Sequence, residues 1–240
     1  MKLPYSGQID RAAGTFRLYY ITDRRQFAGG PRDQQRRLLA KIAECVAAGI
    51  DYIQLREKDL TPRALEDLAL QAGPLVPRES RTRLLINSRI DVALACAAHG
   101  VHLPAHDLPA GEARVIFHRA GQHHPVIAVS THSVAEVSLA EGQGADFAVL
   151  GPVFEKDQQA VHDGLENLAA ACRRPAKAGN YMPVLALGGI TVENARQCIE
   201  AGANGIAAIR LFQENNVADV ARKLRAGSIP SVAREPYDNE

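Results

Sequence analysis

Tryptophan is missing from this 240-residue chain, and aromatic residues make up only 5% of it. So few aromatic side chains argue against the stacking platforms that hold single-stranded nucleic acid. Cysteine is also scarce, with four residues. Cys45, Cys96, Cys172 and Cys198 lie far apart and form no CxxC. This pattern predicts reduced, mostly core cysteines of a cytoplasmic protein. No charge of one sign dominates: 28 Lys+Arg face 27 Asp+Glu, a formal net charge of +1. There is no global field for nucleic acid or an anionic membrane, although a local basic pocket stays open. No apolar run reaches the roughly 18 residues of a membrane span. Met1 to Arg17 carries no apolar stretch like that of a signal peptide.

What is present is ordinary globular chemistry: 46% hydrophobic and 23% charged residues. At this length folding buries roughly 70–75% of the unfolded surface, so the core needs no metal or disulfide. Short runs rich in Val, Ile and Leu predict strands at Arg17–Thr22, Asp51–Leu55, Leu84–Asn87, Val101–Leu103, Val126–Val129, Phe147–Leu150, Val184–Leu187 and Gly205–Ile209. They are apolar on both faces, as buried parallel strands are. Between and after them, amphipathic stretches predict helices near Asp33–Ala48, Pro62–Val76, Arg89–Ala98, Ala110–Ala120, Val134–Gly142, Gly164–Arg174, Thr191–Ala201 and Phe212–Ala226.

One junction recurs. Ala48-Gly49-Ile50-Asp51, Ala98-His99-Gly100-Val101, Gly142-Gln143-Gly144-Ala145-Asp146 and Ala201-Gly202-Ala203-Asn204 each end a helix and launch an even-numbered strand. Glycine suits the left-handed residue that closes a helix. The repeat implies a βα unit doubled and redoubled. The fold class is therefore α/β, a single (β/α)8 TIM barrel over 17–226, with tails at 1–16 and 227–240. An open doubly wound sheet would normally place a Gly-rich fingerprint after its first strand. Here that strand runs into Thr22-Asp23-Arg24-Arg25.

Barrel chemistry collects at the carboxyl ends of the strands. After strand two, alternation puts Gln54, Arg56 and Lys58 on one face, which suits an anionic ligand. The alternative is a salt-bridged rim with Glu57 and Asp59 as partners. Asn87 after strand three could cap a helix or offer its amide to a heterocycle. His102 and His106 stand four apart but on a strand-to-loop segment without an evident third ligand, so zinc is not favoured. Asp107 is either a helix-start residue or a hard-cation ligand. Ser133 looks like a helix N-cap, which leaves Ser130 at the mouth. No nucleophile elbow accompanies it, so a Ser–His hydrolase is not favoured. The stretch from Gly151 to Gly164, with Glu155, Lys156 and Asp157, reads as the longest strand–helix connection and a candidate lid. Gly188-Gly189 and Ile209-Arg210 follow strands seven and eight, where barrels commonly hold a phosphate. The residues alone therefore predict a barrel enzyme acting on small phosphorylated molecules.

Several segments occur in a familiar order: Gln54-Leu55-Arg56-Glu57-Lys58-Asp59, Ile86-Asn87-Ser88-Arg89-Ile90-Asp91, Gly100-Val101-His102-Leu103, Val129-Ser130-Thr131-His132-Ser133, Gly151-Pro152-Val153-Phe154 and Ala186-Leu187-Gly188-Gly189-Ile190-Thr191. Together they resemble the thiamine phosphate synthase / TenI superfamily over about residues 17–226. The resemblance implies a transferase of thiamine biosynthesis that joins hydroxymethylpyrimidine diphosphate to thiazole phosphate. It implies Arg56, Lys58 and Ser130 as catalytic, with Gln54 and Asn87 on the pyrimidine side. Gly188, Gly189, Ile209 and Arg210 would hold the thiazole phosphate. It implies Mg²⁺ at Asp107, and leaves room for a homo-oligomer. Two departures stand out. Ser88 replaces a usual Asp ligand, which should weaken Mg²⁺. The usual Gly-Pro-x-x-x-Thr-x-Thr-Lys loop has Lys156, Gln158 and Gln159 instead, so Lys156 would supply the lysine's charge from a shifted position. These losses keep two alternatives open. One is a TenI-like thiazole tautomerase, to which Leu103-Pro104 also points and from which Pro152 departs. The other is a non-catalytic thiazole- or thiamine-phosphate-binding regulator.

Overall fold

A computed structural model describes residues 16–154, 158–174 and 181–227, without the side chains of 158–162. Eight parallel strands close in sequence order: β1 Arg17–Ile21, β2 Tyr52–Leu55, β3 Arg83–Asn87, β4 Gly100–Leu103, β5 Val126–Thr131, β6 Phe147–Leu150, β7 Val184–Leu187 and β8 Gly205–Ala208. The last strand pairs with the first, Leu18 opposite Ile206. Closure satisfies every strand edge.

Alternation along each strand divides the core in two. Tyr19, Tyr52, Leu85, Phe147 and Leu185 fill the barrel interior. Leu18, Tyr20, Ile53, Leu84 and Ile86 face the other way, toward the helical ring. That double burial is why the strands read as unbroken apolar runs. The ring comprises α1 Pro31–Ala47, α2 Pro62–Ala72, α3 Ile90–Ala95, α4 Ala110–Arg119, α5 Val134–Gly142, α6 Gln158–Arg173, α7 Ala195–Glu200, α8 Arg210–Gln213 and α9 Val217–Gly227. Among the described residues, no helix is long and apolar enough to cross a membrane.

The recurring junction has a physical basis beyond glycine. Asp51, His99, Asp146 and Asn204 each accept a backbone N–H from the neighbouring odd-numbered strand. The donors are Leu18 at 2.8 Å, Leu84 at 3.1 Å, Ile127 at 2.7 Å and Val184 at 3.0 Å. One polar side chain per pair of βα units thus clamps the amino-terminal end of the barrel. Gly49, Gly144 and Gly202 take positive φ as expected, but Gly100 does not. At that junction Ala97 is the left-handed residue, with φ 51°. Gly100 instead starts β4, where a Cβ would lie 1.9 Å from the Val126 carbonyl oxygen.

Several helix boundaries also differ. α7 starts at Ala195 rather than Thr191, and α3 covers only Ile90–Ala95. Two others have consequences for the loops. α6 begins at Gln158, well before Gly164, so the second half of the expected lid segment, 158–164, is helical. The final helix is split: Asn215 and Asn216 separate α8 from α9, and Asn215 Nδ2 donates to the Leu211 carbonyl at 3.0 Å.

Candidate active site

The carboxyl ends of the strands surround a cavity of about 710 Å³. Gln54, Arg56, Lys58, Asn87, Ser88, Ser130 and Ile209 line it, with His102, His132 and Leu187.

The β2 end decides the electrostatics. β2 ends at Leu55, and beyond it Arg56 and Lys58 line the cavity with Gln54, while the Glu57 carboxylate, although Glu57 also borders the cavity, and that of Asp59 are held by Arg24. Glu57 is buried and taken by Arg24: Nη1 donates to Oε2 at 2.9 Å, and the Arg24 backbone N–H reaches the same oxygen at 3.0 Å. The Thr22 hydroxyl donates to Glu57 Oε1 at 2.6 Å. Asp59 accepts the second fork of Arg24 at 2.7 Å. The Arg56 guanidinium and the Lys58 ammonium have no carboxylate partner among the described residues. The salt-bridged rim therefore exists, but Arg24 forms it. Two cations remain in the mouth for a ligand.

A second network rises through the barrel axis. Gln54 Nε2 donates to the Tyr19 hydroxyl at 3.1 Å, and that hydroxyl lies 3.0 Å from His102 Nδ1. His102 Nε2 lies 2.7 Å from Ser130 Oγ. Burial pushes the Tyr19 phenol well above its usual pKa, so it remains a donor. Burial, with Arg56 adding to it, pushes His102 down to about 3. A neutral His102 accepts from Tyr19 at Nδ1 and donates from Nε2 to Ser130. Ser130 then keeps its own hydrogen to give to a ligand.

A pH prediction follows from His102. Its folded pKa, about 3, lies below the ordinary 6.5. The unfolded chain therefore takes the proton first as pH falls. Stability is whole above pH 6.5 and is lost on the way down, by about 1.4 kcal/mol per pH unit. His99, pushed down to about 4 by burial and by Arg83 and Arg78, acts in the same direction. Urea unfolding is expected to show a loss of about 2–3 kcal/mol from His102 alone between pH 6.5 and 4.5. A flat profile over that window would contradict the neutral assignment.

Other expected residues fall as follows. Asn87 does not cap α3, whose N-cap is Arg89; its Nδ2 donates to Ser88 Oγ at 3.2 Å. Ser133 does cap α5, accepting from the Glu136 N–H. Asp107 is exposed near the rim and does not line the cavity. Its Oδ1 accepts from the Leu108 N–H at 2.8 Å, and its Oδ2 has no partner among the described residues. Gly188, Gly189 and Arg210 also lie outside the lining, although Leu187 and Ile209 beside them are in it. Both glycines have positive φ, 104° and 62°. They also let the strand-six loop cross them: a Cβ on Gly189 would come 2.4 Å from the Phe154 carbonyl oxygen. Lys156 lies outside the described residues. Sequence reasoning missed Tyr19, His102 as the central relay, and His132, which lies 2.6 Å through Nδ1 from the Gly151 carbonyl.

A closed (β/α)8 barrel with a cationic, hydroxyl- and amide-bearing cavity at the strand carboxyl ends defines a class, barrels that work on small anionic ligands. The family model described as thiamine monophosphate synthase matches residues 18–212. A thiamine-phosphate synthase of Methanoculleus marisnigri is 37% identical over 212 residues, covering 87% of this chain and 93% of that protein. One of Chloroflexus aurantiacus is 34% identical over 224 residues, covering 92% and 95%. The solved structure of thiamine phosphate pyrophosphorylase from Pyrococcus furiosus superposes with a TM-score of 0.71 at 30% identity, covering 89% of this chain and 95% of that one. The chain belongs to the thiamine monophosphate synthase family.

Proposed function

We infer that the chain is a thiamine-phosphate synthase, a transferase that joins hydroxymethylpyrimidine diphosphate to thiazole phosphate and releases diphosphate. The observation that carries this reading at the site is the pair Arg56 and Lys58, left without carboxylate partners in the mouth because Arg24 holds Glu57 and Asp59.

The reaction needs little proton chemistry. The C–O bond to diphosphate breaks with its electron pair leaving on the diphosphate oxygen. The thiazole nitrogen then gives its lone pair to the pyrimidine carbocation. The costly step is charge build-up on the leaving group, which fixed cations and donors stabilise. Arg56 grips diphosphate oxygens through its planar fork, and Lys58 adds a point charge. Ser130, its lone pair occupied by His102, donates its hydrogen to the same group. Gln54 Oε1, without a partner among the described residues, and the Asn87 amide line the cavity and would meet the pyrimidine. Gly188, Gly189, Ile209 and Arg210 follow two adjacent strands and would hold the thiazole phosphate. Lys156 would add charge on the strand-six side.

Mg²⁺ chemistry tolerates one carboxylate when substrate phosphates supply the other oxygens. Asp107, with its unpartnered Oδ2, fits that minimal role. The ion when bound offsets diphosphate charge. Ser88 lines the cavity and sits at φ 58°, a left-handed backbone that Asp tolerates better than most residues. Ser88→Asp is therefore expected to fold normally and to lower the Mg²⁺ concentration for half-maximal rate about tenfold or more, since it adds a hard carboxylate. An unchanged magnesium dependence would place position 88 away from the ion.

The direct test is product formation. Purified protein with Mg²⁺, the pyrimidine diphosphate and the thiazole phosphate is expected to make thiamine phosphate. Binding of both substrates with no product above the protein-free control would refute the reading.

A further inference from the structure

A second crevice among the described residues is larger than the mouth. It lies at the opposite end of the barrel, has a volume of about 1220 Å³, and includes Arg17, Tyr52, Arg83 and Val126. These residues begin β1, β2, β3 and β5. We propose that this amino-terminal crevice is a second anion site, which binds a phosphate or diphosphate ester carrying a flat ring.

The charge count favours an anion. Among the described residues, Arg17, Arg78, Arg81 and Arg83 line the crevice against a single carboxylate, Asp51. Asp51 is already satisfied by the Leu18 N–H, by Arg81 at 2.6 Å and by Arg225 at 3.2 Å. Among the described residues, Arg83 gives its Nη1 only to backbone carbonyls, those of Ser80 at 2.6 Å and Thr82 at 3.1 Å. Arg78 has no partner among the described residues. The helices α2, α3 and α4 end near this face, and each C-terminus contributes at most about half a negative charge. Three such ends total about −1.5, less than the charge of Arg78 and Arg83, the two guanidiniums left when Arg81 is set against Asp51 and Arg17 is not counted. The crevice stays positive.

His99 adds direction. Its Nδ1 accepts the Leu84 N–H, so the proton of the neutral ring sits on Nε2, which has no partner among the described residues. Arg78 and Arg83 are close enough to bias that ring electrostatically. One neutral donor beside two guanidiniums suits phosphate oxygens. The wall is apolar: Pro74, Pro77 and Leu70, which is 52% exposed, lie on the same crevice. A flat ring can cover that wall while its phosphate meets the arginines.

The site is separate from the mouth, so the proposal does not depend on the synthase reading. The experiment uses a full chain carrying Arg56→Ala, Lys58→Ala and Arg210→Ala, which removes the described arginine and lysine side chains assigned to the mouth, with ADP and inorganic diphosphate as probes in calorimetric titrations. ADP is expected to bind at one remaining site. Adding Arg78→Ala should weaken it about tenfold or more, as losing a charge-assisted contact does. Arg78 is exposed and unpartnered, so its loss should leave Tm unchanged. Inorganic diphosphate should bind more weakly than ADP. No ADP binding in the mouth-silenced protein, or binding indifferent to Arg78→Ala, overturns the site. Diphosphate binding as tight as ADP overturns the role of the apolar wall.

Discussion

Arg56→Ala is expected to lower kcat/KM by about 10²–10³-fold, the scale of removing one group that stabilises developing charge. Its stability should move by no more than about 0.5 kcal/mol. The asymmetry follows from the partners. The guanidinium ties nothing together among the described residues. The backbone N–H of residue 56, which donates to Thr22 Oγ1 at 2.9 Å, survives truncation to alanine. Steady-state kinetics with a thermal melt on the same sample reads both quantities. A lowered melt with retained activity would mean that Arg56 is a structural rim residue.

The opposite asymmetry is expected one network away. Arg24→Met should destabilise the fold by about 3 kcal/mol or more, because it leaves a buried carboxylate without its charge partner. Glu57 has a side chain only 1% exposed, and the Arg24 side chain is 10% exposed. Burial already pushes the Glu57 carboxyl up, with Thr22 and Arg24 pulling against it. Without the guanidinium, Glu57 folds only by taking up a proton. Methionine keeps much of the arginine stem's packing, so the loss reports charge rather than volume. Pairing Arg24→Met with Glu57→Leu should recover a large part of the loss, since a buried ion pair replaced by apolar groups is often near neutral. Urea denaturation of the single and double variants measures this. A loss under about 1 kcal/mol for the single variant would show that the pair is solvated.

Much of the barrel is legible in the sequence because parallel strands buried on both faces leave unbroken Val, Ile and Leu runs. The four-fold junction was legible as glycine, yet its working part is the adjacent polar residue. At Gly100 the left-handed turn had moved to Ala97, a residue type that gives no such signal. The start of α6 was missed because Gln158-Gln159 is polar and Gly164 resembles a boundary. At the site, Gln54, Arg56 and Lys58 line one cavity, although the strand alternation used to group them stops at Leu55. What it could not decide was whether Glu57 and Asp59 neutralise them. That depends on Arg24, 33 residues before Glu57 and 35 before Asp59. The His102 relay was equally hidden, since its partner Tyr19 is 83 residues away and reads as an ordinary strand aromatic. Expectations about Lys156 fall outside the described residues.

The central claim is that the unpartnered cations at the mouth hold the diphosphate that leaves. The most direct measurement is the Kd of the pyrimidine diphosphate for the unaltered chain and for Arg56→Ala/Lys58→Ala, titrated at one salt concentration with Mg²⁺ present. Each lost charge-assisted contact is worth about 1.5–3 kcal/mol, so the double variant should bind at least about 100-fold more weakly. Equal affinity in the two proteins would contradict the account.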